Sequence, residues 1–79
     1  MTVGKYLKNI IENKGLKQSH VAEMVGMTPQ VLGQIMAGRR KIEVSEYYSI
    51  CVAMGENPTK VAIECGIYAP KIDEGRKDI

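Results

Sequence analysis

The chain has 79 residues, enough for one domain around a single modest core, and its four aromatic residues are all Tyr, so that core must be aliphatic. A formal net charge of +2 excludes little, but residues 1–41 hold seven basic side chains against two acidic ones, and residues 42–79 hold four against seven. A basic front half suits a protein that presents one face to a polyanion.

No apolar stretch approaches the length of a bilayer span, and Lys5 and Lys8 interrupt any leader-like run, so a cytoplasmic protein is expected. Cys51 and Cys65 make no disulfide framework and read as free thiols in apolar helical stretches.

Helical spacing recurs along the chain, and nothing alternates like a strand for long. Thr2 caps a first helix whose Val3, Leu7, Ile10 and Ile11 share a face, and Gly15 ends it. Leu16 leads into a second helix with Val21, Ala22 and Val25 inward, stopped by Gly26; its cap position holds Lys17, a poor capping residue. The third helix has the clearest start, with Thr28 as N-cap and Pro29 at the first helical position, where a missing N–H costs nothing. Leu32, Ile35 and Met36 form its inner stripe and Gly38 ends it.

A basic loop, Arg39-Arg40-Lys41, follows. A fourth helix is expected over about Val44 to Met54, with Tyr47, Ile50, Cys51 and Met54 inward. A fifth starts at Asn57-Pro58 and runs to about Cys65. After Gly66 the periodicity fades. Residues 67–79 read as a C-terminal arm, frayed or packed on a second subunit through Ile67, Tyr68 and Ile72. The domain is therefore placed at residues 1–66, an all-α unit of five short helices.

Residues 18–37 satisfy a demanding geometric pattern. Two short helices crossing steeply need a small residue at the crossing, supplied by Ala22, and a turn residue that tolerates positive φ, supplied by Gly26. Val21, Val25, Met27, Leu32 and Ile35 fill the wedge between them. The outer face of the third helix carries Pro29, Gln30, Gly33 and Gln34, with Val31 beside them. Gln can bond adenine bidentately in the major groove, and Gln30 and Gln34 lie about one turn apart on one face. Val31 suits a thymine methyl. Gly33 weakens the helix by roughly 1 kcal/mol relative to Ala but lets its backbone approach a groove floor. Arg39, Arg40 and Lys41 are placed to neutralise phosphates, and Lys17, Ser19 and Thr28 are weaker candidates for backbone contact.

The run Gly15-Leu16-Lys17-Gln18-Ser19-His20-Val21-Ala22-Glu23-Met24-Val25-Gly26-Met27-Thr28 resembles the phage Cro and repressor-type (xenobiotic-response-element-like) helix-turn-helix family. The Gly38-Arg39-Arg40 loop and the helix end Ile50-Cys51-Val52-Ala53-Met54-Gly55 resemble it too, and the similarity spans roughly residues 3–60. The resemblance implies a five-helix, lambda-repressor-like fold whose third helix lies in the major groove of double-stranded DNA. It implies a homodimer on a near-palindromic operator, and places Gln18 at a position that bonds a phosphate. The family often pairs a buried arginine on the first helix with a glutamate at the end of the third. Here Ile11 and Met36 occupy those positions, and a whole ion pair exchanged for apolar groups is tolerable where loss of one partner is not. Ile11 and Met36 are therefore expected to meet in the core. Ile42 and Met54 depart from the usual proline and leucine without threatening the fold.

Catalysis and cofactors find no support in the sequence. His20, the one histidine, sits on an expected outer face, and with Cys51 and Cys65 it lacks zinc-ligand spacing. The five methionines fall mostly at core positions, there is no Gly-rich phosphate loop, and no small-molecule ligand is implied. RNA binding is disfavoured without a sheet bearing stacking aromatics. The expected function is a transcriptional regulator that represses by binding DNA, dimerised through the fourth and fifth helices and the arm. The same fold serves antitoxins and restriction-modification controller proteins, and a protein-interaction module without specific DNA binding belongs to a different class.

Overall fold

The computed structural model describes residues 2–66, in which five helices follow one another through short connections: α1 (Val3–Asn13), α2 (Gln18–Val25), α3 (Pro29–Met36), α4 (Val44–Met54) and α5 (Pro58–Glu64). The expected arm at residues 67–79 lies outside the described residues.

The helix starts follow from side-chain chemistry. Thr2 and Thr28 hydroxyl oxygens accept the N–H groups of Lys5 (3.2 Å) and Val31 (3.1 Å), and the Asn57 amide oxygen accepts those of Thr59 and Lys60. Lys17 precedes α2 with no side-chain cap bond, as its chemistry dictates. Gly26 ends α2 at φ 74°, and the next N–H, of Met27, reaches back to the Ala22 carbonyl at 2.9 Å. That closure requires the left-handed conformation, which glycine adopts without strain.

One core joins the helices. Leu7, Ile11, Val21, Ala22, Leu32, Met36, Ile50, Cys51, Met54 and Val61 are buried together in it, with Tyr47, Ile10 and Val25 packed at its edge. Ile11 and Met36 are both members, 2% and 1% exposed, at the side of the core where α1 packs on α3. No polar or charged side chain among the described residues is buried with them. Polar ties lie outside the core. The Tyr6 hydroxyl on α1 donates to Glu64 of α5 (3.1 Å), the Tyr47 hydroxyl donates to the Pro58 carbonyl, and Lys14 pairs with Glu56 at 2.9 Å.

The close approach of α1 to α3 depends on Gly4, a residue the sequence pattern did not single out. A Cβ built there would sit 1.8 Å from the Ile35 carbonyl oxygen and 3.3 Å from the Met36 Cα, both backbone atoms of α3. Neither can swing aside, so any side chain at this position drives the helices apart. Gly4→Ala gains about 1 kcal/mol in helix propensity. The forced separation exceeds that gain, with a net loss of about 1–3 kcal/mol expected. Thermal unfolding followed by circular dichroism should therefore show a melting point lower by roughly 4–8 °C for each kcal/mol lost. An unchanged or raised melting point would mean that α1 is not seated on α3 in this way.

Candidate nucleic-acid interface

α3 is held from behind by Leu32, Ile35 and Met36, each 1% exposed or less, and it presents the opposite face outward. Pro29, Gln30 and Gln34 are exposed on that face, while Val31 and Gly33 are half-buried beside them. Eight residues make two turns, so Gln30 and Gln34 stand one above the other.

Gln18, in the first turn of α2, reaches across to α3. Its Nε2 lies 3.7 Å from where a Cβ on Gly33 would stand. Gln18 thus sits half-buried between the start of α2 and the middle of α3. Lys17 and Ser19 flank it in solvent and line a shallow concavity with His20, Met27 and Pro29. Thr28 is exposed, and the cap bond it accepts leaves its hydroxyl proton available to an outside acceptor.

Beyond α3, Arg39 and Lys41 are exposed, whereas Arg40 is engaged. Its Nη1 and Nη2 donate to the two carboxylate oxygens of Glu46 at 3.0 and 2.9 Å. The hydrogen bonds from Arg40, and then the bond from the Glu43 backbone N–H, hold the Glu46 carboxyl below its ordinary pKa. The same contact with Glu46 strengthens the hold of Arg40 on its proton. In sequence Arg40 is one of a run of three cations, and a partner six residues away across a loop has no periodic signature.

Two further lysines border this region. Lys5 and Lys8 on α1 line a concavity with Met36 and Ala37 at the end of α3. Their positions three apart on one helix were the available signal. His20 is exposed, 4.0 Å from Glu23. Cys51 is buried, which pushes its thiol pKa up, and Cys65 is half-buried; both are free.

An exposed face on a short helix, the free start of a neighbouring helix beside it and nearby cations together have the arrangement of a helix-turn-helix. A family model described as Helix-turn-helix matches residues 7–61, so the chain belongs to the helix-turn-helix family of DNA-binding regulators. The chain is similar to two crystal structures of the clp gene regulator ClgR from Corynebacterium glutamicum. One superposes with a TM-score of 0.75 at 27% identity, covering 87% of this chain and 91% of that one. The other gives 0.77 at 26% identity, with 81% and 68% covered. No curated protein matches the chain.

Gly33 separates stability from recognition. The space around it accepts a methyl group, since the nearest atom is the end of a Gln18 side chain at ordinary contact distance. Gly33→Ala is expected to stabilise the free protein by about 0.5–1 kcal/mol through reduced backbone entropy. The same methyl should weaken DNA binding by holding α3 off the groove floor. Melting and a duplex titration on one preparation check both signs; unchanged affinity would show that the α3 backbone does not approach the bases at Gly33.

Proposed function

We propose that this chain is a repressor that occupies a near-palindromic operator as a homodimer, with α3 of each copy in the major groove. The observation that carries the reading is the outward pair Gln30 and Gln34 on a helix whose other face is wholly buried. Pro29, Val31 and Gly33 complete the surface offered to base edges. Lys17, Gln18, Ser19, Thr28, Arg39 and Lys41 surround it with donors for phosphate oxygens. Occupancy alone blocks a promoter, so repression is the sign of regulation that asks least of these residues.

Recognition by Gln30 and Gln34 is testable at single base pairs. Gln34→Ala is expected to lose about 1–3 kcal/mol of discrimination at one base pair of a selected site and little elsewhere. Affinity measured against a panel of singly substituted duplexes reads this directly. A loss equal across the whole panel would assign Gln34 to the DNA backbone instead.

The second copy is supported by α4. Val44, Tyr48 and Val52 recur every four residues on its outer side and are 83%, 53% and 66% exposed, with Met24 of α2 beside them at 55%. With Val25, Ser49 and Ala53, three of these residues line an open groove of about 480 Å³. The one charged residue of α4, Glu46, is turned to Arg40, so this side of the helix carries no charge. A helix apolar on both faces calls for a partner, and an uncharged stripe can meet its own copy across a two-fold axis without repulsion. The expected spacing of the two reading helices is then roughly 34–36 Å, one turn of DNA. Val52→Glu is expected to shift the protein to monomer in sedimentation or sizing and to lower operator affinity. A variant that remains dimeric would place the contact elsewhere.

A further inference from the structure

We propose that Arg40 is a positioning residue rather than a phosphate ligand: clamped by Glu46, it fixes the shape of the loop that presents Arg39 and Lys41 to DNA. The inference rests on the DNA-binding reading above and assigns the three loop cations unequal roles within it.

The loop between α3 and α4 has little backbone structure of its own. Its first part is tied to the end of α3, where the N–H groups of Arg39 and Arg40 donate to the Gln34 carbonyl at 2.9 and 3.3 Å. The ties from Arg40 to Glu43 run instead through one carboxylate. Glu46 Oε1 accepts both the Glu43 backbone N–H at 2.9 Å and Arg40 Nη1 at 3.0 Å, while Oε2 accepts Arg40 Nη2 at 2.9 Å. Arg40 Nη1 lies 3.4 Å from the Lys41 carbonyl oxygen as well. Arg40, Lys41, Glu43 and Glu46 thus close a ring around one acidic side chain. That side chain is only 18% exposed and sits in the first turn of α4, where a negative charge also meets the positive helix end.

This arrangement alters what Arg40 can give to DNA. A guanidinium paired on both forks with a carboxylate is close to neutral as a unit, so it displaces few counterions from a phosphate. Arg39 and Lys41 are exposed on either side of it, and no ion pair among the described residues involves them. Holding the loop in one shape before DNA arrives spares the ordering cost that two flexible cations would otherwise meet on binding.

The two roles predict opposite results. A duplex selected from a random pool by the unaltered protein serves as probe, with affinities measured from 50 to 200 mM salt for Arg39→Ala, Arg40→Ala, Arg40→Lys, Glu46→Gln and the double variant Arg40→Ala with Glu46→Gln. Arg39→Ala should reduce the slope of log affinity against log salt by about 1. Arg40→Ala should leave the slope unchanged and lower affinity about three- to tenfold, as should Glu46→Gln, and the double variant should be no worse than either. Arg40→Lys, which keeps the charge but not the fork, should behave as Arg40→Ala. Circular dichroism melts confirm that each variant is folded at the assay temperature; the pair lies outside the core, so all should be. A slope lost with Arg40→Ala as with Arg39→Ala, full binding by Arg40→Lys, or tighter binding by Glu46→Gln would each overturn the positioning role while leaving the DNA-binding reading intact. Failure of the unaltered protein to select any site would overturn that reading and this inference together.

Discussion

An eight-residue helix has almost no stability of its own in water, because nucleation is costly and only a few bonds follow it. Everything asked of α3 therefore depends on Leu32, Ile35 and Met36, which the body of the protein buries from behind. The remaining features serve that seat. Thr28 and Pro29 start the helix, Gly26 turns the chain into it, and Gly4 lets α1 press on its last turn through backbone alone. Residues that face outward contribute little to holding the helix and are free to be chosen for recognition.

No polar or charged side chain among the described residues is buried where α1 packs on α3, and this sets where polar interactions can matter. A buried ion pair would tie the seat of α3 to the protonation of its partners and would carry a large desolvation cost. Ile11 and Met36 remove both dependences at once. Polar specificity has instead moved to the periphery, to Tyr6 with Glu64, Lys14 with Glu56 and Arg40 with Glu46. Of these, Lys14 with Glu56 ties two short connections to each other, whereas Arg40 with Glu46 acts on the loop that follows α3. Its effect is therefore on the shape of a loop rather than on the stability of the core.

The helices were legible because their ends are written in local chemistry. Thr2, Thr28 and Asn57 cap as their side chains require, glycines close the turns, and the inward positions of the first four helices follow the 3.6-residue period. Three features escaped because each depends on what lies across space. Gly4 in a first helical turn looks like a weak helix former, and only its distance from the Ile35 carbonyl gives it a purpose. The Arg40–Glu46 clamp spans a loop, and Glu43 is not a residue type that marks a capping box. The outer stripe of α4 was hidden by the inner one, since a helix apolar on two sides reads as merely apolar. At the interface the sequence identified which side chains face outward on α3, a matter of period, but not which cations are already occupied.

α2 connects the two surfaces. Its beginning places Lys17, Gln18 and Ser19 beside the outer face of α3, and at its end Met24 and Val25 line one open groove with Tyr48 and Val52 of α4. The helix has eight residues, about 12 Å from end to end, and is buried between them at Val21 and Ala22. A rigid rod of that length, packed on both α3 and α4, cannot tilt at one end without moving the other. A partner seated on the α4 stripe therefore bears on the same short element that sets Gln18 against Gly33. On the proposed reading, coupling between association and DNA recognition would run through this one short helix.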